Sequence, residues 1–162
     1  MGVMLDLPFK LAVPEDADFI ARMSRRLIEK DLPQSWTTKR VANHIRSANS
    51  TVVTARDGDI IAGFAVMHFA DDSAHLNLLA VEPVYRRCGI GRALVKWLEE
   101  SARVAGVQFV SLEVRSSNHR ALRFYAELGY RETGVIPRYY SGVDDATLLA
   151  RDLRVTDMQN AG

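Results

Sequence analysis

The stretch Val81-Glu82-Pro83-Val84-Tyr85-Arg86-Arg87-Cys88-Gly89-Ile90-Gly91-Arg92-Ala93 constrains this chain more than any other, because it reads as a strand end, a basic glycine-containing loop and a helix start in succession. Backbone N–H groups at a helix N-terminus lack intrahelical partners and sit at the positive end of the helix dipole. Gly89 and Gly91 allow an anion to approach without a Cβ in the way, and Arg86, Arg87 and Arg92 add charge, so the segment favours a phosphate. A plainer reading stays open, in which the glycines make a tight turn and the arginines are solvated. Two other phosphate motifs fit less well. A P-loop needs Gly-Lys followed by Ser or Thr, whereas Gly91 is followed by Arg92-Ala93. A dinucleotide fingerprint gains from Glu113, which stands at a strand end about 20 residues on. It is opposed by Leu94 at the third glycine position and by the polar stretch from Glu82 to Cys88 between strand and glycines.

Around this segment, helical and strand patterns alternate without repeats or low-complexity blocks, which predicts an α/β (α+β) fold. Phe9–Val13 reads as an edge strand. Pro14-Glu15-Asp16 opens a helix with Phe19, Ile20, Met23, Leu27 and Ile28 on one stripe, stopped by Pro33. Thr38 is the expected cap of a second helix running to Ile45. Strands at Thr51–Ala55 and Ile60–Phe69 flank the turn Asp57-Gly58, and Asp71-Asp72-Ser73 leads into a further strand, Ala74–Val81. A helix from about Gly89 to Ala105 is expected to pack through Ile90, Ala93, Leu94, Trp97, Leu98 and Ala105. In the strand Phe109–Val114, Val110, Leu112 and Val114 share one face, so Ser111 and Glu113 share the other. Asn118 caps a fourth helix reaching Leu128, Gly129 closes it, and strands near Tyr130–Val135 and Ala146–Arg151 finish the fold. One domain over residues 1–154 is expected, with a loose tail at 155–162.

Composition limits the function classes. Of 162 residues, 21 are basic and 20 acidic, giving a net charge of +1. That supplies no overall field to recruit nucleic acid or an anionic membrane, so an anion site has to be local. A single cysteine, Cys88, leaves no internal disulfide or thiolate cluster and suits a reducing compartment, which points to the cytoplasm. No signal-peptide pattern, myristoylation motif or run of 18 apolar residues is seen. The histidines, His44, His68, His75 and His119, have no metal-ligand spacing, and no metal is expected. His75 alternates with Leu76 in its strand, so it either lines a cleft or is a satisfied sheet histidine. A covalent role for Cys88 has no neighbouring histidine in sequence to support it.

The pattern Arg86-x-x-Gly89-x-Gly91-Arg92-Ala93-Leu94 resembles the pyrophosphate-binding signature of the GNAT acetyltransferases. Leu112-Glu113-Val114-Arg115-x-Ser117-Asn118, then Ala121, Tyr125, Leu128-Gly129-Tyr130 and Arg138-Tyr139-Tyr140, is similar to the second half of that family, and especially to RimI-type protein N-terminal acetyltransferases. The resemblance covers Leu78 to Leu153; before it only Trp36-Thr37 matches.

The resemblance implies one GNAT domain with a mixed, mostly antiparallel sheet of about six to seven strands and about four helices. It implies an enzyme that moves acetyl from acetyl-CoA directly to a primary amine. The α-amino group of a protein or peptide is the expected acceptor, with small-molecule amines or a non-catalytic acyl-CoA-binding role as alternatives. The cofactor would be held by Leu79, Val81, Arg86, Arg87, Cys88, Gly89, Gly91, Arg92, Ala93, Asn118 and Tyr125. Glu113 would be the general base, directly or through water, Tyr125 the general acid, and Tyr139 and Tyr140 would wall the acceptor site. From the residues alone, Glu113 could equally pair with Arg115 or another arginine, and Tyr125 could be an ordinary core aromatic. The oxyanion would need a preorganised donor, for which a backbone N–H of a splayed Ala74–Val81 strand is the expected source. Exposed sheet edges leave a homodimer open.

Overall fold

Gly58, at φ 60°, begins the turn that joins β2 (Ser50–Asp57) to β3 (Ile60–Phe69). The hairpin is antiparallel, with Val52 opposite Val66, and its register shifts between Ala55 and Arg56. In the computed structural model, which describes residues 4–155, it belongs to a seven-stranded sheet of order β1-β2-β3-β4-β5-β7-β6. The other strands are β1 (Phe9–Leu11), β4 (Ser73–Val81), β5 (Phe109–Arg115), β6 (Arg131–Tyr140) and β7 (Asp144–Asp152). The helices are α1 (Ala17–Leu27), α2 (Thr38–Arg46), α3 (Ile90–Val104) and α4 (His119–Glu127). The expected loose tail lies, from residue 156 on, outside the described residues.

Two compact units make up the chain, one of residues 4–68 with 76–100 and one of 69–75 with 101–155. The first is built on a core of Ile20, Met23, Trp36, Val41, Val52, Ile61, Phe64, Val66, Leu78 and Ala80, all buried. On α1 the buried positions are Ala17, Ile20, Ala21, Met23 and Ser24. Phe19, expected on that stripe, lies off it and is 40% exposed. The cap of α2 is Thr37 rather than Thr38: the Thr37 hydroxyl accepts from Arg40 N at 3.2 Å, while the Thr38 hydroxyl donates to Asp18 at 3.1 Å. Helix α3 buries Ile90, Leu94, Val95 and Leu98, together with the uncharacteristic Glu99. Ala93 and Trp97 face outward instead, and Trp97 meets Phe9 edge-on at 6.5 Å. The apolar stripe is thus rotated toward Val95, because that side chain fills the core and an indole tolerates a half-wet edge position.

In the second unit, β4 begins parallel to β5, with Ser73 opposite Phe109 and His75 opposite Ser111. Strand β5 then pairs antiparallel with β7, placing Glu113 opposite Leu148. Val110, Leu112 and Val114 are buried and Ser111 and Glu113 are on the more open face, as the alternation predicts. The hairpin β6–β7 is longer than expected from Gly134 and Pro137. As the last strand in the order, β6 has a free side on which a proline removes no ladder bond. Register shifts between Glu132 and Gly134 and between Ile136 and Tyr140 absorb the irregular residues.

Candidate active-site groups

The basic loop belongs to the first unit. Strand β4 ends at Val81, a turn of 3-10 helix covers Pro83–Tyr85, and α3 starts at Ile90. Arg87 at φ 61° and Gly89 at φ 80° both take the left-handed conformation, which turns the loop sharply ahead of the helix. Gly89 O accepts from Ala93 N at 3.0 Å, closing the first helical turn. The N–H groups of Arg87, Cys88, Gly89, Ile90, Gly91 and Arg92 donate to no group among the described residues. Arg86, Arg87 and Arg92 are exposed, Arg86 reaching back to Val81 O at 3.3 Å. These donors, the positive end of a 15-residue helix and exposed guanidinium groups are the features that anion binding calls for. Leu79 and Val81 are partly open along the preceding strand, and Cys88 is a free thiol whose Sγ lies 3.5 Å from Arg86 O.

Three supports of this loop lie outside the sequence pattern that marks it. Glu82, an acid within a basic run, is gripped by both terminal nitrogens of Arg26 from α1. That hydrogen-bonded pairing holds the Glu82 carboxyl below its ordinary range and raises Arg26. The acid is thereby neutralised and does not oppose an incoming anion. Gly63 is the second: a Cβ there would lie 3.0 Å from Ala80 O and 3.3 Å from Ile90 Cγ2, so a side chain would press the strand end and helix start away from β3 by a few tenths of an ångström. Third, Leu5 N donates to Cys88 O at 2.9 Å and the Met4 side chain covers Gly89, where a Cβ would come 2.3 Å from Met4 Cε. The left-handed dihedral angle by itself favours glycine at position 89, and the Met4 side chain would have to move for any Cβ there. A lone acid among cations and a glycine inside a strand were the available hints.

The remaining candidates lie in the second unit. Because His75 is paired with Ser111 in the parallel ladder, both side chains leave the same face of the sheet, and Glu113 follows two residues along β5. His75 Nδ1 is 2.9 Å from Ser111 Oγ and His75 Nε2 is 2.6 Å from Glu113 Oε2. Both side chains of the His75–Glu113 pair remain about a third open, at 32% and 26%. Tyr140, at the end of β6, is pushed up to about 12, first by burial and then by the nearby Glu113 charge. Arg115 lies over the Tyr140 ring at 5.6 Å, and Tyr139, half-exposed, meets Tyr140 edge-on at 4.9 Å. A carboxylate, an imidazole, a hydroxyl and a phenol thus share one neighbourhood suited to accepting a proton from a nucleophile.

Tyr125 sits on α4 with only 8% of its surface exposed, edge-on to Tyr130 at 5.6 Å. Burial drives its phenol far above the ordinary tyrosine value, so it stays protonated. Asn118 is exposed, and its side chain accepts from Ala121 N at 3.2 Å as the N-cap of α4. Gly129, at φ 94°, ends the helix, and a Cβ there would lie 3.3 Å from Arg151 Nε.

With this geometry in view, residues 21–130 match the model of the acetyltransferase (GNAT) family. An Escherichia coli [ribosomal protein bS18]-alanine N-acetyltransferase is 34% identical over 118 residues, covering 71% of this chain and 79% of that protein. An uncharacterized Mycobacterium leprae protein is 32% identical over 145 residues, which are 86% of this chain but 39% of that longer relative. The crystal structure of the E. coli ribosomal-protein-S18-alanine N-acetyltransferase superposes with a TM-score of 0.81 at 27% identity, covering 93% of this chain and 96% of that one.

Proposed function

This chain belongs to the acetyltransferase (GNAT) family, and from that premise we propose that it transfers acetyl from acetyl-CoA directly to the α-amino group of a protein or peptide. The observation that carries the reading is the row of amides from Arg87 to Arg92 at the start of α3 that donate to no group among the described residues, which suits the pyrophosphate of CoA. Among the described residues no helix is long and apolar enough to cross a membrane. We place the reaction in the cytoplasm, where acetyl-CoA and nascent protein N-termini meet and Cys88 stays reduced.

The chemistry follows from the groups present. An α-amine titrates near 8 and attacks a thioester only as the free base. Its nitrogen forms a bond to the acetyl carbonyl carbon, the carbon–sulfur bond breaks, and the electron pair leaves on sulfur. The proton lost from nitrogen goes to Glu113, directly or through one water. Tyr125 is assigned to the departing sulfur. A phenol held so firmly protonated gives a hydrogen bond more readily than it gives up its proton, so its contribution is to stabilise the charge growing on sulfur. Tyr139 and Tyr140 are assigned to the acceptor, since Tyr140 lies within the field of the Glu113 charge and Tyr139 packs edge-on against Tyr140.

Calorimetric titration with acetyl-CoA, with NADH and ATP as controls, tests the cradle, and mass spectrometry of peptides incubated with acetyl-CoA tests the acceptor. Micromolar binding of acetyl-CoA and a gain of one acetyl on the peptide N-terminus are expected. Glu113→Gln is expected to lower kcat by about two orders of magnitude while leaving acetyl-CoA affinity within about twofold. Absence of acetyl-CoA binding overturns the reading; modification of small amines but not peptides replaces the acceptor.

A further inference from the structure

We propose that His75 is a positioning residue for Glu113: it holds one carboxylate oxygen so that the other is presented to the attacking amine. The inference rests on the acetyl-transfer reading above and deepens it.

The imidazole is held at both nitrogens, with Ser111 Oγ at 2.9 Å from Nδ1 and Glu113 Oε2 at 2.6 Å from Nε2. One proton has to lie in the shorter contact, since two lone pairs at that distance repel. With Glu113 ionised, as a base must be, that proton belongs to Nε2, which donates to Oε2. In the neutral ring Nδ1 then carries none and accepts from the Ser111 hydroxyl, so the acceptor-only carboxylate sets the tautomer and Ser111 completes it. Strand pairing fixes the whole row, because His75 and Ser111 are opposite each other in the ladder. Glu113 hangs on a flexible stem and its side chain is 26% exposed, so without a partner the carboxylate would sample several rotamers. Oε2 is spent on His75 and Oε1 remains to take the proton. During transfer that proton arrives on Oε1 and no bond at His75 breaks. Because the pair is partly solvated, its value lies in orientation rather than in Coulomb energy.

The test is steady-state kinetics with acetyl-CoA and an acceptor peptide, together with calorimetry of acetyl-CoA binding, for His75→Ala, His75→Gln, Ser111→Ala and Glu113→Gln. His75→Ala is expected to lower kcat about 10- to 100-fold with the acetyl-CoA Kd and KM unchanged. His75→Gln, whose amide can still donate to Oε2, is expected to recover most of that loss, and Ser111→Ala to cost less than His75→Ala. In the Glu113→Gln background, His75→Ala is expected to cost little more. Equal losses in the Ala and Gln variants, or a loss seen in Kd and not in kcat, overturn the proposal. Full activity of His75→Ala beside an impaired Glu113→Gln sinks positioning alone; wild-type turnover in Glu113→Gln sinks the base assignment beneath it. If His75→Ala does not fold, ring 15N shifts of the wild-type protein decide: a proton on Nε2 and none on Nδ1 is required, and the opposite tautomer overturns it.

Discussion

Tyr140 shows how much a single residue reports on its surroundings. Burial and the Glu113 charge both disfavour its phenolate, so its folded value is raised above the ordinary one to about 12. A raised folded value means a contribution to stability that is complete below the unfolded value near 10 and is lost as pH climbs through the folded one. In an alkaline absorbance titration, one tyrosinate step near pH 12 is expected to vanish in Tyr140→Phe, and in Glu113→Gln it is expected to move down. Glu82 gives the opposite sign. Its carboxyl is lowered by the Arg26 hydrogen bonds, so the stability it contributes is present at neutral pH and lost as pH falls through its folded value. Arg26→Gln is therefore expected to narrow the difference in stability between pH 7 and acid, measured by urea unfolding at both.

Capping shows what an element owes to single side chains. Asn118 and Thr37 each satisfy one orphan N–H at a helix start, and replacing either by Ala is expected to cost about 1 kcal/mol in denaturant unfolding. The loss of Asn118 is expected to leave α3 and its loop unaffected, so acetyl-CoA binding separates a capping role from a cofactor contact. The same elements show what can be read from a sequence. Strand β5 was legible because Val110, Leu112 and Val114 alternate with Ser111 and Glu113 over a run too short to drift. The face of α3 was not, since Ala93, Val95 and Trp97 are all apolar and only packing decides which of them turns inward. Thr37 and Thr38 are both capable caps, and the backbone angle that selects between them is invisible in the letters. At the site, the glycines and arginines of the loop were legible as local pattern. The Arg26–Glu82 pair and the His75–Ser111–Glu113 row were not, because each joins residues distant in sequence that only strand pairing or helix packing brings together.

Across the whole molecule, ligand binding and stability are linked. If acetyl-CoA binds the folded chain alone, saturation at about 100 times its Kd adds about 2.7 kcal/mol, visible as a rise in Tm. Gly89→Ala has to adopt φ 80° with a side chain and displace Met4, so it is expected to lose that ligand-dependent rise even where it folds. Formal charge gives little protection in solution, since +1 leaves almost no electrostatic repulsion between copies. That turns attention to β6, the outermost strand, with Val135, Ile136 and Tyr139 exposed along it. Such a ribbon is a template for cross-β growth, and Pro137, with no N–H to offer, interrupts it. Pro137→Val would add a donor to this outermost strand, and light scattering of concentrated samples is expected to show the variant clouding where the parent stays clear. The residue that makes this strand hard to foresee acts as its gatekeeper against aggregation.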